Sequence, residues 1–181
     1  ALHFPILTIL IFLPILGAVI LLFIPKESKN AIRSAAIGIT MVEFLISIIL
    51  LFYFDTMTYK MQFVEKATWI PDIGAEYFLG MDGISLVLIL LTTFISVISI
   101  VCSWSAVEER VKEYMIYLLI LETGMIGVFV SLDMMLFFIF WEIGLVPMFF
   151  LIGIWGGARK LYANMKFFLY TLFGSLFMLV G

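Results

Sequence analysis

Three glutamates of this sequence lie where a chain of this composition rarely places a charge. Glu43, Glu122 and Glu142 each fall within about one residue of the middle of a long apolar run. A charged side chain in the centre of a bilayer costs at least ~2.5–3.5 kcal/mol, so such a residue pairs with another group, binds an ion or transfers protons. Their positions therefore predict carboxyl groups that face the bundle interior and titrate in a proton path, bind an ion or pair with another group.

The strongest of the three candidates is Glu142, in the stretch FFIFWEIGLVPMFF at 137–150. Pro147 follows it by five residues, lacks an amide hydrogen and crowds the carbonyl of Ile143, which predicts a helix kink beside the acid. Glu122 is followed by Thr123, Gly124 and Gly127, and these small residues predict a close helix approach with room for water or a polar partner. Glu43 fits equally well a neutral, hydrogen-bonded acid or a functional one.

Composition determines which elements position these acids. Hydrophobic residues make up 65% of the 181 residues, charged residues 13%, and the mean hydropathy is +1.24. Crossing a bilayer takes ~20 mostly apolar helical residues, and backbone groups in lipid must bond within their own segment. We predict an all-α, multi-pass membrane bundle of six helices in a single membrane domain, at about 4–24, 33–54, 83–104, 114–131, 133–153 and 163–181. We also expect the chain to be a piece that stops within the sixth helix.

The connections between the runs carry further predictions. The long one, 55–82, contains two aromatic and β-branched stretches around Pro71, Asp72 and Gly74, which favours a short β-hairpin between helices 2 and 3. Asp133 follows a tight turn and can cap the fifth helix. Gly156 and Gly157 are typical of a helix end. Hydroxyl residues of the third run, including Thr93 and Ser96, either bond neighbouring helices or line a wet path.

The basic residues predict the orientation. Eight of the ten lie at the ends that face one side if the helices alternate in direction: Lys26, Lys29, Arg33, Arg110, Lys112, Arg159, Lys160 and Lys166. The positive-inside rule places that side in the cytoplasm and the N-terminus outside.

The sequence lacks the residues that other kinds of functional site require. The single histidine, His3, and the single cysteine, Cys102, do not form a set with metal-ligand spacing, and we predict no metal. No glycine-rich phosphate loop, nucleophile elbow or basic patch with interleaved aromatics is present, so catalysis on this chain, a cofactor and nucleic-acid binding are not expected.

Three stretches carry a family resemblance: LFFIFWEIGLVPMFFLIGIWGG at 136–157, KFFLYTLFGSLFMLVG at 166–181 and EYFLGMDGISL at 76–86. They resemble the antiporter-like membrane subunits of respiratory complex I, most closely the subunit M, or chain 4, type. The resemblance implies a subunit of about fourteen helices with two inverted repeats and broken helices. It further implies that Glu142 pairs with a lysine of the seventh helix, that Glu122 is a second acid, and that the protein translocates protons.

The same resemblance implies the setting: a bacterial inner membrane, other membrane-arm subunits as partners, and FMN, iron–sulfur clusters and quinone on other chains. Two alternatives stay open. One is a subunit of a multisubunit Na⁺/H⁺ antiporter or membrane-bound hydrogenase, and the other is a structural brace whose acids stay protonated.

Overall fold

A computed structural model describes residues 5–181, so His3 lies outside the described residues. The chain forms six helices and one hairpin, in this order: α1 Ile6–Leu22, α2 Lys29–Tyr53, β1 Gln62–Ile70, a 3₁₀ turn Pro71–Ile73, β2 Ala75–Met81, α3 Gly83–Ala106, α4 Val111–Val130, α5 Met134–Trp155 and α6 Lys160–Val180.

The predicted fold class is confirmed. From α2 to α6, five helices are long and apolar enough to cross a membrane, while α1 has 17 residues, close to the minimum for a span. Helix α4 packs against α1, α3 and α5, and α2 packs against α1 and α3. Helix α6 packs on the far side of α5.

The helices begin earlier on the basic side than hydropathy predicts. Helix α2 begins at Lys29 instead of 33, α4 at Val111 instead of 114, and α6 at Lys160 instead of 163. Their first turns carry charged and amide side chains, which helices accommodate at a membrane surface but which lower the apolar score. The glycines at the end of α5 also have two roles. Gly156 follows the last helical residue, whereas Gly153 lies inside the helix, where an added methyl group would meet Nδ2 of Asn164 at 2.7 Å.

The hairpin is antiparallel and turns at Gly74, whose φ of +70° favours glycine. It is attached to the helices at two points. The Leu132 amide donates to the Phe78 carbonyl (2.8 Å), and Glu65 of β1 accepts from the amides of Leu7 and Thr8 at the start of α1 (2.9 and 3.1 Å). The hairpin therefore connects the first turn of α1 with the α4–α5 connection.

Two apolar clusters fill the bundle. We call the end of the bundle that bears the hairpin the outer end and the opposite end the inner end. The outer cluster joins the hairpin to the helices through residues such as Leu10, Leu79 and Ile126. The inner one includes Leu21, Ile100 and Met115. Between these two levels lie the buried polar side chains of the helices, and these form the candidate site.

Candidate functional site

A buried polar layer crosses the bundle at mid-depth. In α2 the buried side chains form one stripe at helical spacing: Arg33, Ala36, Thr40, Glu43, Ser47 and Leu50. Glu43 lies at its centre and is 0% exposed, and Glu122 of α4 is 1% exposed. The two carboxyl groups are close enough for their charges to interact. The structure therefore brings together two of the three acids that the sequence singles out.

Neither carboxyl group has a hydrogen-bond partner among the described residues. All four side-chain oxygens of Glu43 and Glu122 are buried without a hydrogen bond. Ser96 of α3 lies beside Glu122, but its hydroxyl donates to the Thr92 carbonyl of its own helix (2.8 Å). A buried acid without a donor is costly when ionised, because nothing replaces the water that the charge has lost.

Hydroxyl groups continue the layer towards the outer side. Ser47 and Thr93 are hydrogen-bonded across the α2–α3 interface at 2.9 Å, and Ser85 of α3 donates to the Phe129 carbonyl of α4 (2.8 Å). The prediction left two roles open for the hydroxyls of the third helix, and these bonds favour contact with neighbouring helices. Ser47 was not singled out from the sequence, although it lies one helical turn after Glu43.

Thr123 extends the layer to α1. Its hydroxyl is fully buried and donates to the Ile11 carbonyl at 2.8 Å. Pro14 lies inside α1 and leaves the neighbouring Leu10 carbonyl without its usual amide donor. This second helical proline was not singled out from the sequence, although a proline within an apolar run is a visible signal.

Glu142 lies elsewhere. It is partly buried in α5 and lines an open groove of about 540 Å³ with Tyr117 and Ile120 of α4 and with Pro147. Its Oε1 atom is buried and has no partner among the described residues. The groove is otherwise apolar, so a cationic or hydroxyl-bearing group entering it would meet this oxygen.

The face of α5 that packs on α4 excludes Glu142. An added methyl group on Gly124 would meet the backbone nitrogen of Gly144 at 2.8 Å, and one on Gly127 would meet the ring of Phe140. The predicted close approach at these glycines is therefore present. A cavity of about 270 Å³ lies beside this contact, lined by Gly124, Phe140 and Gly144, and its lining is apolar. Phe140 and Gly144 are each two residues from Glu142, which turns the acid to another face of the helix.

Basic groups at the inner ends of the helices bind backbone carbonyls. Lys29 donates to the Glu108 carbonyl (2.6 Å), Arg33 to Val107 (2.9 Å), and Lys112 to Leu22 and Ile24 (2.7 and 2.9 Å). Within residues 5–181 the single ion pair joins Lys66 and Glu76 of the hairpin, at 3.4 Å. None of these contacts neutralises the acids of the polar layer.

Comparison with known proteins relates this arrangement to a family. The sequence profile described as "NADH:quinone oxidoreductase/Mrp antiporter, TM" matches residues 131–181, which include Glu142 and Pro147. NADH-quinone oxidoreductase subunit M of Rhodobacter capsulatus is 49% identical over 180 residues, covering 97% of this chain and 34% of the relative. NADH-ubiquinone oxidoreductase chain 4 of Arabidopsis thaliana is 47% identical over 173 residues, covering 95% and 35%.

The resemblance to antiporter-like subunits is confirmed. A chain in the respiratory complex I of Thermus thermophilus has the same fold, with a TM-score of 0.80 and 24% identity, over 96% of this chain and 34% of that one. The chain spans about a third of the length of the relatives it matches. The similar antiporter-like subunits belong to multisubunit respiratory membrane complexes.

Proposed function

We propose that this chain forms part of a proton-translocating, antiporter-like subunit of an NADH:quinone oxidoreductase. The observation that carries the proposal is the position of Glu142. It is a mid-membrane acid with an unpartnered buried oxygen, next to a helical proline and open to a groove that another helix can fill. The 49% identity to a subunit M supports the same function.

In this proposal Glu142 changes its protonation state when a cationic partner approaches or leaves. A lysine in the groove would stabilise the ionised carboxylate, and its withdrawal would favour uptake of a proton. Glu122 and Glu43 form a second group of acids on the other side of α4, and Pro147 permits the local movement of α5.

The chain itself performs no redox chemistry in this proposal. Flavin, iron–sulfur clusters and quinone belong to other subunits, and this chain binds no cofactor and no nucleic acid. Its partners are membrane-arm subunits, above all other antiporter-like ones. The bacterial inner membrane is its location, with the basic inner ends of the helices in the cytoplasm and the N-terminus outside.

A second function is favoured by one observation. The matching family profile covers Mrp antiporters as well as NADH:quinone oxidoreductases, so a subunit of a multisubunit Na⁺/H⁺ antiporter has the same fold. Purification of the affinity-tagged full-length protein from its native membrane separates the two. We expect flavin and NADH dehydrogenase activity to co-purify. A complex without flavin that exchanges Na⁺ for protons would contradict the proposal.

A further inference from the structure

We propose that Glu43 and Glu122 form a two-carboxylate site that retains one shared proton, separate from Glu142. The proposal rests on the proposed function and deepens it, because it assigns a ligand to the second group of acids. Its first support is burial. Both side chains are at least nine-tenths buried and close enough for their charges to interact, and none of their four oxygens has a hydrogen-bond partner among residues 5–181.

The helix register explains why the two acids meet. Helices α2 and α3 run in opposite directions and are joined at mid-depth by the Ser47–Thr93 hydrogen bond. One turn towards the inner side, α2 presents Glu43 and α3 presents Ser96. Ser96 in turn lies beside Glu122 of α4. The three helices therefore converge on one point, which is closed on both sides by apolar clusters.

In the part of the chain that the structure describes, no cation neutralises the two carboxylates. The described parts of α1 and α3 contain no Asp, Glu, Lys, Arg or His, and Cys102 of α3 is exposed. In α2 and α4 the nearest cations in sequence are Arg33 and Lys112, each ten residues from its acid, about 15 Å along a helix.

The other titratable groups of the packed helices are hydrogen-bonded elsewhere or lie away from the pair. Arg33 and Lys112 already donate to backbone carbonyls. Glu113, Tyr114 and Tyr117 of α4 lie closer to the inner end than Glu122, and Tyr114 is bonded to Ser103 at 2.7 Å. Glu142 of α5 lines the groove on another face. Two ionised carboxylates would therefore repel each other without compensation.

The surrounding hydroxyls are already bonded to the backbone of their own helices. Each of them has a carbonyl of its own helix within bonding distance: Thr40 with Ala36, Ser47 with Phe44, Thr93 with Ile89, and Ser96 with Thr92. A hydroxyl that donates to the backbone presents only lone pairs to its surroundings. The site is thus a set of acceptors, and a proton on one carboxyl group provides the donor that satisfies it.

A pair that shares a proton has a recognisable titration. When two acids interact strongly, their protons come off in two steps that belong to the pair, more than about one pH unit apart. We expect two steps in the infrared carboxyl band that is present in the intact complex and absent from the Glu43→Gln, Glu122→Gln double variant. Each single variant should leave one step, at a midpoint different from both. Glu27→Gln, at an exposed connection, is the matched control and should keep both steps.

Three outcomes would overturn the proposal. The first is that each acid titrates at the same midpoint whether or not the other is present. The second is a pair that never carries a proton between pH 5 and 9. The third is a band displaced when K⁺ is replaced by Na⁺, which would make the site a metal-cation site. Because the titration needs no turnover, its failure is distinguishable from loss of function at Glu142, which is read from proton pumping.

Discussion

At the scale of single residues, the three acids of the helices differ in burial. Glu43 and Glu122 are enclosed on every side, whereas Glu142 has one buried oxygen in an open groove. An enclosed acid can exchange its proton only with its immediate neighbours, while an acid in a groove responds to whatever enters it. We therefore assign proton storage to the first two and the switch to the third.

Thr123 offers a test of the polar layer that leaves the acids intact. Its hydroxyl is fully buried and bonds the Ile11 carbonyl near Pro14. Thr123→Val removes the hydroxyl, keeps the shape and removes one buried hydrogen bond between α4 and α1, so we expect a loss of about 0.5–1.5 kcal/mol in stability. Thr123→Ser keeps the hydroxyl and should therefore lose less stability than Thr123→Val. Thermal inactivation of the purified full-length protein measures both, and equal midpoints for Val and wild type would show that the bond contributes nothing.

Close contact between α4 and α5 dominates at the scale of elements. A methyl group on Gly124 would meet the backbone of Gly144, which cannot move aside without shifting the helix. We expect Gly124→Ala to destabilise the protein by about 1–3 kcal/mol, in the range of overpacked cores. Gly38→Ala in α2 is the matched control, because nothing lies within 4 Å of its added methyl group. If both variants unfold at the wild-type temperature, the two helices do not pack as described.

Asp133 links the hairpin to α5. One of its oxygens accepts from the amides of Met135 and Leu136 (2.9 and 3.1 Å), and the other accepts from the Glu76 amide (3.0 Å). Burial acts to raise the pKa of Asp133, but donation by the Glu76, Leu136 and Met135 amides outweighs it and holds the pKa below its usual range. The predicted cap of the fifth helix is present, and it also positions the hairpin.

This lowered pKa determines a pH dependence. The ionised Asp133 carboxylate stabilises the fold fully above its ordinary pKa of about 3.9. This stabilisation is lost as pH falls through the lower pKa of Asp133 in the folded protein. Asp133→Asn still caps but cannot ionise, so we expect hydrogen exchange at 75–81 and 131–136 to lose this pH dependence. Asp133→Ala should cost about 0.5–2 kcal/mol near neutral pH. Exchange in Asp133→Asn that follows the wild-type pH profile would contradict the assignment.

A similar attachment joins β1 to α1. Glu65 accepts from the first-turn amides of α1 and from the Thr8 hydroxyl (2.5 Å), which also contacts Tyr77 at 2.7 Å. Burial raises the pKa of Tyr77, and the charge of Glu65 adds to this, while the Thr8 hydrogen bond opposes it. No feature of the sequence pairs Glu65 with α1, because 57 residues separate Glu65 from Thr8.

At the scale of the whole molecule, the sequence predicted the helices and the hairpin but not the contacts between distant segments. Apolar runs predicted six helices, and turn residues predicted the hairpin, because both depend on neighbours in sequence. The meeting of Glu43 with Glu122 depends on the packing of α2, α3 and α4, which no single run encodes. The sequence did partly indicate that Glu142 lies apart from the other two acids, since Gly144 and Phe140 lie four residues apart on a helix face that excludes Glu142.

The described bundle thus holds buried, unpartnered carboxyl oxygens at two positions on opposite sides of α4. One is sealed between apolar clusters, and the other faces a groove lined by α4 and α5. In the proposed function, charge in the groove is what drives the switch, and the sealed pair supplies or receives protons. Glu142 is therefore the residue on which the account depends most.

The most direct measurement is the rate of NADH-driven proton pumping by the intact complex in vesicles, with its turnover and proton-to-electron ratio, for Glu142→Gln in the full-length protein. Glutamine keeps the size of the side chain but cannot ionise, so we expect NADH-driven pumping and coupled quinone reduction to fall by at least about tenfold, a barrier change of roughly 1.4 kcal/mol. Glu27→Gln should retain both. Unchanged turnover and proton-to-electron ratio in Glu142→Gln would contradict the central claim.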